Sequence, residues 1–326
     1  MAEKRIRRIA VLTSGGDAPG MNAVVRSVVR AACENDIEIL GINRGYSGLL
    51  NNDFRKLDAR SVDGLLQRGG TILYTARCAE MMTDAGQQQA ANNCKYLGID
   101  GLVCIGGDGT YRGALALARK GVPCIGIPAT IDNDIGCTEY AIGFDTATNT
   151  AVDCVDMLRD TMKSHERISV VEVMGRHAGH LALNVGCAVG AAAVLVPEHE
   201  ENFETDVIEK IREGRINHRN HHIVIVAEGY SMSTQEVAKR VEMETGMDTR
   251  VTILGHIQRG GAPTARDRVI ATQMGDYAVH ALMDGKEKRI VAMQNGAIVD
   301  IDIEEALEMK KPLNEALYMV EQSMSI

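Results

Sequence analysis

Five short apolar runs, none of them alternating, constrain this chain more than any other feature. They occupy residues 9–12, 101–105, 124–127, 168–173 and 223–226. A strand with one wet face alternates apolar and polar residues, whereas a strand covered on both faces reads as a continuous apolar run. Between the runs lie stretches of helical period, among them 21–33, 113–120 and 146–162. Runs that alternate with helices predict right-handed crossovers and a parallel sheet, that is, an α/β chain of Rossmann-like build. A length of 326 residues allows two domains or one large lobed domain, and no shift in composition marks a boundary.

The core has to be assembled from aliphatic side chains and methionine, because the chain has three Phe, eight Tyr and no Trp. The same scarcity removes the stacking platforms that single-stranded nucleic acid needs. A net charge of −9 gives no general attraction for nucleic acid or an anionic membrane, so neither is expected as a partner. Phosphorylated ligands would have to be held by local basic clusters. The eight cysteines (33, 78, 94, 104, 124, 137, 154 and 187) include no Cys-x-x-Cys pair, and free thiols in a reducing cytosol are expected. The basic amino end runs into only a few apolar residues before Ser14-Gly15-Gly16-Asp17, too few for an export signal, and no stretch reaches bilayer length. A soluble cytoplasmic protein is the expectation.

In open parallel sheets ligands gather beyond the carboxyl ends of the strands. There this chain carries Gly15-Gly16-Asp17, Gly106-Gly107-Asp108-Gly109-Thr110, Thr130-Ile131-Asp132-Asn133-Asp134, Met174-Gly175-Arg176 and Ala227-Glu228-Gly229. The glycines of 106–110 would let a polyphosphate approach backbone amides at a helix start, with Asp108 placed for Mg²⁺. A strand-to-helix turn that needs glycine, capped by Asp, fits the motif equally well. No Walker sequence is present. Asp132 and Asp134, two apart in an extended segment, would point the same way, one as general base and one as its support. A polar turn is the alternative. Arg167, Arg176, Arg250, His256 and Arg259 supply cations of the kind that phosphoryl transfer requires. His177 and His180 lack a third metal ligand at sensible spacing and are expected to be solvated or core residues. The pair His221-His222 is expected at a strand start, without chemistry.

Taken in order, the segments from Val11 to Arg268 resemble the ATP-dependent bacterial 6-phosphofructokinases; 130–134 and 255–261 together are the specific part. The resemblance implies a two-lobed fold, each lobe a largely parallel sheet flanked by helices. A larger ATP-binding domain would comprise 1–142 and about 256–305, and a smaller sugar-phosphate-binding domain 143–255 and about 306–326. It implies Mg-ATP as donor and the 1-hydroxyl of fructose 6-phosphate as acceptor, a step of glycolysis. Gly16, Arg77, Cys78, Gly107, Asp108, Gly109 and Thr110 would surround ATP, with Asp108 serving Mg²⁺. Asp132 would be the base, beside Thr130, Asp134 and Arg176. Ile131, Met174, Gly175, Glu228, His256, Ile257, Gln258 and Arg259 would line the sugar phosphate. Arg167 and Arg250 would reach in from a neighbouring subunit of a homotetramer.

Departures from the family pattern are as informative. Pyrophosphate-using relatives tend to carry Asp and Lys where this chain has Gly109 and Ala129, so ATP is the expected donor. Cys78 replaces an aromatic residue and Ala79 a proline, which alters the surroundings expected for adenine. Of the effector residues the family uses for ADP or phosphoenolpyruvate, Arg26, Arg30, Arg159 and Arg219 remain, but Ala59, Gly64, Ala192 and Asn217 replace charged ones. Each lost charge-assisted contact costs about 1.5–3 kcal/mol. Allosteric control is therefore expected to be lost or rewired, with a fructose 6-phosphate saturation curve unmoved by submillimolar ADP or phosphoenolpyruvate. Three other functions fit parts of the sequence: a pyrophosphate-dependent enzyme, a catalytically silent nucleotide-binding regulator, and an NAD kinase-like protein. The regulator would have no need of Asp108, Asp132, Asp134 and Arg176 together. The NAD kinase-like reading leaves the basic cluster His256–Arg259 and the arginine pair unexplained.

Overall fold

The computed structural model describes residues 6–200, 202–219 and 221–325. The chain packs as two compact units: Met1–Thr130, Ile135–Asp145 and Arg259–Lys311 in the first, and Ile131–Asp134, Thr146–Gln258 and Pro312–Ile326 in the second. The short segment Ile131–Asp134 thus groups with the second unit, whereas the resemblance assigns it to the larger domain.

The first unit is built on a seven-stranded sheet. In chain order its strands are β1 (Arg8–Thr13), β2 (Glu38–Ile42), β3 (Phe54–Leu57), β4 (Gly101–Gly106), β5 (Cys124–Pro128), β10 (Arg289–Gln294) and β11 (Ala297–Asp302). Their spatial order is β11-β10-β5-β4-β1-β2-β3. The central strands pair in parallel, Ile9 opposite Gly101 and Leu102 opposite Cys124, while β3 and β11 close the two edges antiparallel. The reason for the continuous apolar runs is visible here: every residue of β4 and β5 is buried. Helix Met21–Glu34 packs along helix Ala265–Met283, where the Ser27 hydroxyl donates to the Thr272 carbonyl at 2.6 Å.

The second unit has a four-stranded sheet, parallel throughout, made of β6 (Ile168–Val173), β7 (Ala193–Leu195), β8 (His222–Ala227) and β9 (Thr249–Ile253) in the order β7-β8-β6-β9. Its core is mainly aliphatic, with Val170, Leu195, Val224, Val226, Val237 and Ile208, and includes Phe203 and Met247. Burial of one such side chain contributes about 1.5–3 kcal/mol. The last helix, Glu315–Met324, packs on helix His180–Val189.

All eight cysteines are free, and Cys104 and Cys124 are fully buried core residues. His222 opens β8 as expected, His180 is buried at a helix start, and His177 is exposed. No group of three or more potential metal ligands occurs among the described residues. No helix among them is long and apolar enough to cross a membrane.

Candidate active site

In the first unit the carboxyl ends of β1 and β4 are stitched together. Ser14 N donates to Ile105 O at 3.0 Å, and the Thr110 hydroxyl donates back to Ser14 O at 3.1 Å. Helix Asp108–Arg119 starts there with Gly107 as its cap, and Thr110 N and Tyr111 N donate to Gly107 O at 2.9 and 3.1 Å. A Cβ added at Gly107 or at Gly109 would meet nothing within 4 Å, so neither glycine is required by packing. What they leave is open space before a helix amino end, which suits a polyphosphate. Asp108 is exposed at the entrance to this space. Beyond β1, Thr75 donates to Gly15 O at 2.6 Å and fixes the segment that leads to Arg77, which is exposed, and Cys78, which is half-buried. Burial raises the Cys78 thiol, and the nearby Glu80 carboxylate, 3.5 Å from Sγ, adds to the effect. Arg259 lies in this unit too: its guanidinium covers Gly16 and donates to Asp17 O at 3.0 Å.

The segment Ile131–Asp134 departs from the extended form expected of it. Asn133 adopts φ +51°, in the left-handed region where asparagine is tolerated, and the chain bends at 131–132. The rule that residues two apart share a side holds only for extended backbone, so it fails here. Instead Asp132 and Asn133 are buried, at 8% and 7% exposure, Ile131 is fully buried, and Asp134 and Thr130 are half-buried.

In the second unit the carboxyl ends of β6 and β8 lie side by side, Val173 opposite Ala227. The Glu228 carboxylate accepts from Gly175 N at 3.2 Å and from Arg176 N at 2.6 Å. Both residues are left-handed, Gly175 at φ +140° and Arg176 at φ +58°. A non-glycine residue held there costs about 1–3 kcal/mol, and the carboxylate that accepts both amides helps to offset it. Arg176 is left with its side chain exposed. Gln258 is fully buried, accepts from Met174 N at 3.3 Å and donates to Gly255 O at 3.0 Å, so it braces the Met174 turn from within. His256 and Ile257 are exposed beside it.

Two of the expected residues are not at this end. Arg167 immediately precedes β6, and Arg250 lies near the start of β9 opposite Ser169. Six strand residues at about 3.3 Å each separate Arg167 from Met174, roughly 20 Å in all. One chain's second unit therefore does not gather Arg167 and Arg250 with Met174, Gly175 and Arg176 around a single small ligand. Asp248, which the sequence reading did not single out, accepts from both arginines; its signal was a carboxylate two residues ahead of Arg250 at a strand start.

Among the effector residues, Arg26 is half-buried and Arg30 exposed in the first unit, with Arg30 4.0 Å from Asp63. In the second unit Arg159 is engaged by Asp156 at 3.7 Å and by the Val189 carbonyl. Burial lowers the affinity of His221 for a proton, and the charges of Arg159, Lys163 and Arg219 lower it further.

Residues 8–282 match the family described as phosphofructokinase. The chain is 51% identical over 321 residues to the ATP-dependent 6-phosphofructokinase of Bacillus subtilis, an alignment that covers 98% of this chain and all of that one. Among solved structures, phosphofructokinase from Saccharomyces cerevisiae superposes with a TM-score of 0.89 at 35% identity, covering 98% of this chain and 48% of that longer one. A pyrophosphate-dependent phosphofructokinase from Marinobacter aquaeolei gives a TM-score of 0.83 at 21% identity, covering 95% of this chain and 86% of that one; this likeness bears on the fold alone.

Proposed function

The chain belongs to the phosphofructokinase family, and we infer that it transfers the γ-phosphoryl group of ATP to the 1-hydroxyl of fructose 6-phosphate, giving ADP and fructose 1,6-bisphosphate. The observation that carries the choice of donor is the bare helix start at Gly107 and Gly109. An aspartate at 109 would put a carboxylate into that space, where the inner phosphates of a nucleotide need room and amide donors. The relatives at half identity are ATP-dependent as well.

In this reading Gly16, Arg77, Cys78 and Gly107–Thr110 bind the nucleotide from the first unit. Asp108, exposed beside the open space, would hold Mg²⁺; one carboxylate fits an ion that takes most of its remaining ligands from phosphate and water. When bound, the ion neutralises charge on the donor phosphates. Asp132 takes the proton of the sugar hydroxyl as its oxygen forms a bond to the γ-phosphorus, and the bond from that phosphorus to the β–γ bridging oxygen breaks. Arg176 balances charge on the migrating group, Thr130 stands beside that group, and Asp134 would support the metal site. Met174, Gly175, Glu228, His256 and Arg259 hold the sugar phosphate, and Gln258 braces the Met174 turn.

Arg167 and Arg250 bind the phosphate of a neighbouring subunit's substrate, in keeping with their distance along the sheet from the chain's own Met174 turn. The working form is accordingly an oligomer, a homotetramer in our reading. Its substrates and eight free cysteines accord with the cytoplasm.

Replacement of the base tests the mechanism. Asp132→Asn should lower turnover by about 10²–10⁴-fold while fructose 6-phosphate binding, followed by equilibrium titration, is retained. Turnover within a fewfold of the parent would remove Asp132 from that role.

A further inference from the structure

At the amino end of the four-stranded sheet one carboxylate holds two guanidinium groups. Parallel pairing sets Ile168 opposite Thr249, so Arg167 and Asp248 stand side by side just ahead of β6 and β9, and Ile168 N donates to Asp248 O at 3.0 Å. Asp248 Oδ2 accepts from Arg167 Nε at 2.5 Å and from Arg250 Nη2 at 3.0 Å. The three side chains are 39%, 30% and 59% exposed for Asp248, Arg167 and Arg250, so the cluster faces outward and is not a buried ion pair.

The atoms used matter. Arg167 spends its Nε–H on Asp248, which leaves the edge formed by its two Nη groups unclaimed by that carboxylate. Such an edge is one of the two on a guanidinium that can meet a phosphate bidentately, the other being the Nε–Nη edge that Asp248 here engages through Nε. Arg250 gives Asp248 a single Nη2. Two positive charges and one negative leave a net positive fork on the exposed edge of β9, next to Val251 at 36% and Ile253 at 50% exposure. A carboxylate beside two phosphate-binding cations subtracts from their attraction for an anion. What it returns is orientation, because flexible arginines otherwise lose rotamer freedom only when the ligand arrives.

We propose that Asp248 is a positioning residue for sugar-phosphate recognition: it sets Arg167 and Arg250 as a preformed fork for the phosphate group bound by a second copy of this chain. This rests on the reading above in which those two arginines serve a neighbouring subunit's substrate. Asp248 touches neither substrate nor reacting atoms. Its loss therefore acts on acceptor binding and leaves the chemical step and the nucleotide alone.

The test uses the full-length enzyme with Asp248→Asn, Asp248→Ser and the conservative Asp248→Glu, alongside Arg167→Ala and Arg250→Ala. Saturation with fructose 6-phosphate, saturation with ATP, kcat, sedimentation and thermal melting are read for each. The proposal expects Asn and Ser to raise half-saturating fructose 6-phosphate by roughly ten- to hundredfold, with kcat and the ATP response within about twofold. Glu should recover most of the loss, and sedimentation should not change. An unchanged or lowered half-saturation in the Asn and Ser variants overturns it, since the carboxylate would then be idle or a restraint. A parallel fall in kcat, ATP response and melting temperature, or dissociation, also overturns it, by making Asp248 a structural residue. The two arginine variants separate this inference from the reading beneath it. If they weaken fructose 6-phosphate binding and the Asp248 variants do not, only the positioning role fails. If neither arginine variant matters, the intersubunit reading itself fails.

Discussion

The two strand ends that we propose for the two substrates are built on opposite plans. At the end of β4 the chain removes side chains: Gly107 and Gly109 face open space, and in the proposed reading recognition falls to backbone amides at a helix start. At the end of β6 it crowds them in: Gly175 and Arg176 are held left-handed, Glu228 takes both their amides, and a Cβ at Gly229 would stand 2.3 Å from the Arg176 carbonyl. A nucleotide's phosphates offer many oxygens and tolerate a general cradle. A single hexose phosphate has to be distinguished from its isomers, which takes side chains fixed in position. The open loop should therefore tolerate added volume and resist added charge, whereas the crowded turn should depend on its one brace.

The largest effect expected from breaking this contrast is at Gly109. Gly109→Asp should raise half-saturating ATP by on the order of a hundredfold, while Gly109→Ala changes it only a fewfold, because a methyl group there meets nothing. An alanine as damaging as the aspartate would show that volume, not charge, is what the loop excludes. Next is Glu228→Gln, which keeps the shape and removes the charge that accepts from Gly175 and Arg176. Fructose 6-phosphate affinity and kcat should each fall by about tenfold, with ATP saturation within about twofold. Equal damage on the ATP side would mean that the two ends are not independent.

A smaller effect separates the units by pH. Two buried groups of the second unit, His222 and Glu321, have their proton affinity shifted by burial. His222, against which Gly214 leaves room for the imidazole, is pushed by burial down to about 4 from 6.5. It is neutral in the fold, so its contribution to stability is present above pH 6.5 and is lost as pH falls toward 4. Glu321 on the last helix is pushed by burial up to about 7 from 4.5, against the opposing pull of Lys210. The fold holds its proton longer than the unfolded chain does, so stability is greatest below 4.5 and is lost as pH rises through 7. Glu321→Gln should remove the alkaline loss, on the order of 1–3 kcal/mol at pH 8, and do little at pH 5, as read by denaturant melts. A stability difference that does not vary with pH would take Glu321 out of this account.

How much of this was legible in the sequence follows from burial. Strands covered on both faces announce themselves, and β1, β4, β5, β6 and β8 were found to within a residue or two at each end. Burial does not account for the rest alike: β2 and β7 are buried yet short, and no run marks them, whereas three exposed or rim strands lack a run for a plainer reason. Phe54–Leu57 carries Arg and Lys on exposed backbone, Thr249–Ile253 is mostly exposed, and Ala297–Asp302 pairs antiparallel at a rim, so none has the continuous apolar signature. The helical period is plain only from 113, yet the strand-to-helix turn at 106–110 marks the start of helix Asp108–Arg119 where the structure has it. In the site, the residue types and their strand-end places were readable. Local backbone was not: the left-handed Asn133, which turns Asp132 away from its expected alignment with Asp134, leaves no mark in a pattern of apolar and polar letters. Asp248 was missed for a related reason, since its meaning depends on the register of β6 against β9.

In the proposed reading a glycine-bared helix start selects a nucleotide as donor while a separate, side-chain-built turn holds the sugar phosphate. This reading is tested most directly by a coupled assay in which the purified protein, Mg²⁺ and fructose 6-phosphate are supplied with ATP or with pyrophosphate. The expected result is fructose 1,6-bisphosphate and ADP in equal amounts with ATP and no turnover above background with pyrophosphate. Turnover with pyrophosphate at a rate comparable to that with ATP would contradict it.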